Sequence, residues 1–182
     1  TPAIAAAAAA PTPGIAAFSL QTAAGGGQTY QLTLQVLALL TALSLLPAIL
    51  LMMTAFTRIM IVLSILRQAL GAGQTPPNQV LLGLALFLTF FVMSPVLNQA
   101  NGAAIQPYAE GKISASQMIA GTGEALHGFM VKQTRNRDVK MFADMAKSGP
   151  YASPKDVPFS VLLPAFVTSE LKTAFQIGFM VF

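Results

Sequence analysis

Residues 31–70 read QLTLQVLALLTALSLLPAILLMMTAFTRIMIVLSILRQAL, and this almost wholly apolar stretch decides the fold. As one straight helix it would be about 60 Å long, about twice the hydrocarbon core of a bilayer. A proline inside a helix removes one hydrogen bond and clashes with the preceding turn. The sequence therefore predicts two helical segments with a break at Pro47.

Two arginines, Arg58 and Arg67, interrupt this stretch. A single span from Val36 to Thr57 would put Arg58 at the membrane edge. A second segment from Pro47 to Leu70 would put Arg58 near its middle, where exposure to lipid costs about 2.5–3.5 kcal/mol. At about 100° per residue the two arginines point to opposite faces, so they cannot line one pore. We favour a helix packed among protein neighbours, with two interfacial charges as the alternative.

Charge is scarce and unevenly distributed along the chain. Asp, Glu, Lys and Arg make up 9% of the 182 residues, against about 25% in soluble proteins. Twelve of the sixteen charges lie between Glu110 and Asp156, and none precedes Arg58. This pattern excludes an ordinary soluble monomer and indicates a chain embedded in a membrane or an assembly. Nucleic-acid binding is not predicted despite the net charge of +4, because the basic residues lack neighbouring aromatic residues on which bases could stack.

The same pattern divides the chain into four regions. Residues 1–27 are predicted to be a flexible or signal-derived terminus, and residues 28–97 a first apolar helical region broken at Pro47 and at 71–77. Its second helix is expected from about Asn78 to Val96, with Ser94 and Pro95 ending or bending it. Residues 98–157 form a polar helical domain. Because Arg58 and Arg67 precede the second span, the positive-inside tendency puts the 71–77 connector in the cytoplasm and the polar domain outside.

The polar domain contains signals for two helices. Ser114 and Gln117 have the spacing of a capping box, and the first helix is expected to reach about Lys132. The second has an apolar face and is stopped by Gly149 and Pro150. The residues of that face are Val139, Phe142, Met145 and Ala146. About sixty residues bury little core, so we expect this domain to pack on copies of itself or on the membrane helices.

Residues 158–182 start a second apolar helical region whose only charges are Glu170 and Lys172. Two residues apart on a helix, these side chains diverge by about 200° and cannot pair with each other. Each is expected to find a partner on another segment or subunit. A proton relay and simple solvation are the alternatives. The region ends in apolar residues, so we expect it to be truncated.

Groups for catalysis are scarce. His127 has only Glu124 within a helical turn, and metal sites need three or four ligands. Gly71-Ala72-Gly73 lacks the third glycine and the preceding strand of a dinucleotide site. The sequence predicts no enzyme and no catalytic, cofactor-binding or metal-ligating residue. The candidates for subunit interfaces or buried charges are Arg58, Arg67, Glu170 and Lys172; those for an apolar pore or packing are Met52, Met53, Phe87, Phe90, Phe91, Phe175 and Phe179.

Three segments resemble one known family, the FliP family. They are LPAILLMMTAFTRI at 46–59, TPPNQVLLGLALFLTFF at 75–91 and LPAFVTSELKTAFQIGF at 163–179, within a resemblance that covers about residues 31–182. The family is shared by flagellar and virulence type III secretion systems. The residues of these motifs and the signal-like start of the chain favour the flagellar branch.

The resemblance implies a core subunit of the export gate in the flagellar basal body of the bacterial inner membrane. Several copies would assemble with FliQ and FliR, in contact with FlhB and FlhA, into a channel for unfolded flagellar proteins. The fold class implied is all-α and membrane-associated, with bent apolar helical hairpins and an inserted small helical periplasmic domain at residues 98–157. The family's methionine-rich sealing loop would lie beyond residue 182. Alternatives are a virulence homologue, a small-solute or ion transporter subunit, and a purely structural ring subunit.

Overall fold

A computed structural model describes residues 19–22, 28–31, 34–73 and 75–181, which fall into two compact units, Thr1–Pro47 and Ala48–Phe182. In the first unit, strands β1 (Ser19–Thr22) and β2 (Gln28–Gln31) pair antiparallel, with Ser19 opposite Gln31. Helix α1 (Leu34–Met52) starts in this unit and ends in the second. Apart from the β pair, the described residues follow the predicted helical class. The rest of the predicted flexible or signal-derived terminus, residues 1–18 and 23–27, lies outside the described residues, as does Phe182.

The predicted break at Pro47 is corrected, because α1 runs through this proline. The break lies at residues 53–55, and α2 (Phe56–Ala69) follows at an angle of 65°. Thr54 supplies a local cause: its Oγ1 donates to the Leu51 carbonyl at 2.7 Å and accepts from the Phe56 N–H at 3.3 Å. The Thr54 hydroxyl thus bonds to the backbone on each side of the break, at the last turn of α1 and at the first residue of α2. Arg58 consequently lies in the first turn of α2, not mid-helix.

A second expected helix end is also corrected. Helix α3 (Asn78–Ala100) continues past Ser94 and Pro95, then through a π-helical turn (Asn101–Ile105) into the short α4 (Gln106–Ala109). The predicted boundary of the polar domain at residue 98 therefore falls inside a continuous helix. The π turn packs closely against α5, since a Cβ on Gly121 would lie 3.0 Å from the Ala104 Cβ.

The capping box is confirmed, with Ser114 at the N-cap of α5 (Ala115–Gln133) and both reciprocal bonds to Gln117 in place. Next come α6 (Asn136–Met145), a 3₁₀ turn (Pro154–Asp156) and α7 (Phe159–Val181). On the predicted apolar face of α6, Val139 and Phe142 pack against the core. Met145 and Ala146 are exposed, so that part of the predicted face is wrong.

The core of the second unit lies where α5, α6 and α7 meet. Its buried members are Met130, Ala143, Val157, Val161, Leu162 and Phe166. Half of them come from α7, so this helix supplies the apolar surface that the polar region lacks. Helix α7 also packs along α2, which in turn packs on α3, so α2 has protein on two sides.

Among the described residues, the continuous helix Asn78–Ala109 is long and apolar enough to cross a membrane, and the bent pair α1–α2 passes the same test only if taken together. Within the most apolar part of Asn78–Ala109, 22% of the residues are buried. The core helix of a soluble protein would be mostly buried, so the exposed apolar surface of this helix favours a membrane or a protein partner around it.

Candidate functional site

The first charged cluster joins three helices around Glu170. Glu170 is 1% exposed, and its Oε2 lies 3.0 Å from Nε of Arg58. The Nη2 of Arg58 also donates to Oε1 of Gln133 at 3.3 Å. The Arg58 guanidinium therefore links α2 to α7 and to the end of α5. The Arg58–Glu170 contact is one of charge, because Oε2 receives no well-aligned hydrogen bond.

The second cluster lies between α6 and α7 around Asp138, which is 1% exposed. Ser169 Oγ donates to Oδ2 of Asp138 at 2.7 Å, and Lys172 Nζ donates to Oδ1. Burial alone would raise the pKa of Asp138. The hydrogen bonds from Lys172 and Ser169 and the charges of Lys172 and Arg135 outweigh it and lower the pKa below the ordinary value. The carboxylate is thus held ionised, in the first turn of α6, where the helix dipole also favours it.

Arg135 extends this cluster along α7. Its backbone N–H donates to Ser169 Oγ at 3.1 Å, and its Nη2 donates to Thr173 Oγ1 at 3.1 Å and to Gln176 Oε1 at 2.6 Å. Since Arg135 is the N-cap residue of α6, the short α5–α6 connection is fixed to two turns of α7. Glu170 and Lys172 therefore contact different helices, α2 and α6, as their angular separation requires.

Arg67 serves a different place, the start of α3. Its Nη1 donates to the Pro76 carbonyl at 3.1 Å and to Asn78 Oδ1 at 2.8 Å. These bonds hold Pro76 and Asn78 against the end of α2. The two arginines of α2 thus contact different neighbours and do not line one common pore.

The apolar candidates are divided between packing and exposed surface. Met53 packs against the core, while Met52 is exposed at the end of α1. Phe87 and Phe91 on α3 are 70% and 75% exposed, and Phe179 near the end of α7 is 86% exposed. Phe90 and Phe175 are also exposed. These phenylalanines form two surfaces, one on α3 and one on α7.

His127 has a structural position. Its Nε2 lies 2.7 Å from the Val157 carbonyl oxygen, and its ring packs edge-on against Phe159. No three His, Cys, Asp or Glu side chains come together in the described parts of the chain in a way that could hold a metal ion. The polar clusters there pair charges between helices and offer no arrangement of nucleophile and base.

Sequence reasoning missed Asp138, Arg135 and Gln133. Asp138 had a usable signal, because it shares a helix face with Phe142 and Met145, and a carboxylate on an apolar face indicates a buried partner. Arg135 and Gln133 carry no such signal, since their partners are 34 to 75 residues away in the chain.

Residues 39–182 match the model of the FliP family. The chain is 59% identical over 157 residues to the flagellar biosynthetic protein FliP of Cereibacter sphaeroides, covering 86% of this chain and 52% of that protein. It is 58% identical over 157 residues to the protein of the same name from Pectobacterium carotovorum subsp. carotovorum, covering 86% and 61%. With that of Bacillus subtilis (strain 168) it shares 49% identity over 150 residues, covering 82% and 68%.

The chain spans about half the length of the first of these curated relatives. The match covers both charged clusters, both phenylalanine surfaces and all helices from α2 to α7. On this match, the chain belongs to the FliP family.

Proposed function

We propose that the chain acts as a subunit of the flagellar protein export gate in the bacterial inner membrane, and that it is not an enzyme. Several copies assemble with the FliQ and FliR subunits, in contact with FlhB and FlhA, into a channel for unfolded flagellar proteins. Support comes from membership of the FliP family and from relatives named flagellar biosynthetic proteins.

The observation that carries the proposal is the two-sided character of α3. One stripe at four-residue spacing is buried: Leu81, Ala85, Thr89 and Met93. Phe87 and Phe91 lie two residues beyond Ala85 and Thr89, about 200° around the helix, and are 70% and 75% exposed. Because this membrane-length helix packs on its own chain by one stripe only, its phenylalanine stripe is free to contact something outside the chain. In a protein-conducting assembly, the phenylalanine stripe packs against a neighbouring subunit or lines the channel.

The charges favour an assembly over a small-solute or ion transporter. Glu170 and Lys172 would have to receive the substrate in a transporter, but both already contact a charge of opposite sign on another helix. Pairing of this kind fixes helix packing and register. We favour the flagellar branch over the virulence branch, because the relatives are named flagellar biosynthetic proteins.

The proposed topology puts residues 98–157 in the periplasm. These residues carry twelve of the sixteen charges, and the charge-free tract of α3 precedes them. A reporter enzyme that is active only when exported, fused near Lys140, is expected to be active. A fusion in the connector at Gly73 is the matched control and is expected to be inactive; the reverse pattern would invert the topology.

Export itself tests the function. In a bacterium that lacks its own family member, the protein should restore secretion of flagellar substrates and motility. The double variant Phe87→Ser and Phe91→Ser should lose both, because it makes the exposed stripe of α3 polar. Ile119→Ser, which alters an exposed apolar residue on α5, is the control and should retain them. Full export by the α3 variant would refute a functional role for the stripe.

A further inference from the structure

A groove runs along one face of α6 and has a volume of about 620 Å³. Ligand sites typically measure about 300–1,000 Å³. The α6 residues that line the groove have the spacing of one helix face, at positions 136, 139, 140, 143 and 144. From 136 to 144 the helix rises by about 12 Å, which is the length of about four residues of an extended chain. The groove therefore has the length and the volume for a short stretch of extended polypeptide.

The floor of the groove is apolar. It is lined by Val131, Val139, Ala143 and Val157. Ala143 and Val157 belong to the buried core of the second unit, and the other two valines pack against it. An apolar side chain that enters the groove would therefore extend this core, and burial of its surface would favour binding.

The other wall of the groove is formed by residues 148–153, which lie outside any helix or strand and lead from α6 to the 3₁₀ turn. The side chains of Ser148 and Tyr151 share a hydrogen bond of 2.7 Å within this segment. Among the described residues, the backbone N–H groups of Gly149 and Tyr151 have no hydrogen-bond partner. Main-chain groups of this kind can pair with the main chain of an added extended peptide.

The rim of the groove carries charges of both signs. Lys140 and Asp144 line it and are exposed. No salt bridge among the described residues includes either side chain. A phosphate or another anion would meet the carboxylate as well as the ammonium group, so the rim does not favour an anionic ligand. A polypeptide, whose side chains can be of either sign or uncharged, fits this rim better.

We propose that this groove binds an extended stretch of unfolded polypeptide about four residues long, with an apolar side chain on the floor and the main chain along residues 148–153. Binding through main-chain groups and an apolar floor tolerates many sequences. The occupant is therefore a flagellar protein in the course of export, which reaches the periplasmic side unfolded. The inference rests on the proposed function for the source of the polypeptide, but not for the chemistry of the groove.

The first test is fluorescence anisotropy with the complex extracted in detergent and a fluorescein-labelled peptide of glycine, serine and asparagine that also contains leucines. This peptide should bind. Replacing its leucines with serine should weaken binding by about tenfold or more, because the floor then buries no apolar side chain. Methylation of its main-chain nitrogens should weaken binding by about fivefold, because main-chain hydrogen bonds are lost. Binding of either analogue as tight as that of the leucine peptide would overturn the proposal.

A filled groove gives a second test. Asn136 is exposed and lines the groove, so Asn136→Trp should weaken binding of the leucine peptide by about tenfold. Met145→Trp is the matched control: Met145 is 71% exposed and lies nine residues on, about 180° around α6. It should leave binding unchanged, and thermal unfolding checks that both variants fold. Equal effects of the two tryptophans would overturn the proposal.

Photocrosslinking identifies the occupant in cells without filling the groove. In bacteria whose secretion the protein restores, p-benzoyl-phenylalanine in place of Lys140 should crosslink to an exported flagellar protein, and in place of Met145 it should not. Crosslinks from position 140 only to another copy of the chain would identify a neighbouring subunit as the occupant and would overturn the proposal. Restored secretion with no crosslink to an exported protein would also overturn it while the export function stands. Peptide binding without restored secretion would instead contradict the export function and leave the groove as a peptide site.

Discussion

Arg58 Nε lies 3.0 Å from Glu170 Oε2, and this contact joins α2 to α7 across the interior of the second unit. Glu170 is buried among apolar side chains of α7, including Phe166 and Ala174 on the same side. A buried carboxylate is tolerated when a charge of opposite sign accompanies it. The Arg58–Glu170 pair is therefore one of the contacts that join these two helices, which are distant in sequence.

Arg58→Ala should lower the free energy of unfolding by about 3–5 kcal/mol, because it leaves Glu170 buried and uncompensated. The double variant Arg58→Leu with Glu170→Leu should cost clearly less than the sum of the two single Leu variants, since neither charge remains. Denaturant or thermal unfolding in detergent measures both. Additive effects of the single changes would show that the two groups do not interact.

Asp138→Asn should destabilise the fold at neutral pH and flatten its dependence on pH. The pKa of Asp138 is lowered in the folded protein, below the value of about 3.9 for an unfolded chain. The stabilisation it provides is therefore complete above about pH 5 and is lost as the pH falls through the lowered folded pKa. Unfolding midpoints between pH 3 and pH 7 check this. Asp144→Asn, an exposed acid on the same helix, is the control and should keep the wild-type slope.

Gly178→Ala should separate α7 from α2. A Cβ at this buried position would lie 2.6 Å from Ile65 Cδ1 and 2.9 Å from its Cγ2, and such overpacking typically costs about 1–3 kcal/mol. Adding Ile65→Ala makes room for the new methyl group and should recover part of the loss. Gly128→Ala, which meets nothing within 4 Å, should instead stabilise α5 by up to about 1 kcal/mol. Thermal unfolding compares the three; equal effects of the two glycine changes would contradict the close α2–α7 contact.

The two faces of α3 should respond differently to truncation. Met93→Ala removes a buried side chain and should cost about 2–5 kcal/mol of unfolding free energy. Phe91→Ala removes a larger but exposed side chain and should leave the stability of the isolated chain within about 0.5 kcal/mol. A large loss of unfolding free energy from Phe91→Ala in the isolated chain would mean that this face packs within the chain. That result would contradict its assignment to neighbouring subunits.

Local signals in the sequence were predictive where one segment contains all of the determinants. The Ser114–Gln117 capping box is an example, since both partners lie within one helical turn. The helix break shows the limit: the conspicuous Pro47 is carried inside α1, while the break lies at Thr54, whose hydroxyl bonds to backbone groups on both sides of it. The proline is the stronger signal in the sequence, but α1 accommodates it.

Charge patterning predicted that Glu170 and Lys172 would contact different partners, because their directions on a helix are fixed by their spacing. It could not identify those partners. Asp138 and Arg58 come from elements 34 and 112 residues away, and only the packing of α6 and α2 on opposite sides of α7 brings them there. The sequence also shows that the phenylalanines of α3 are apolar, but it does not show that they are exposed. Their exposure depends on which stripe of α3 the neighbouring helices cover.

The most direct test of the central claim is the copy number of the chain in the complex extracted from membranes that co-express FliQ and FliR. Native mass spectrometry should give several copies of the chain together with both partners. The Glu170→Gln variant should give fewer copies or none in the complex, because the α2–α7 pairing that shapes the subunit is lost. A single copy in the wild type, or a Glu170→Gln complex that is intact but inactive in transport, would contradict the account and favour a transporter.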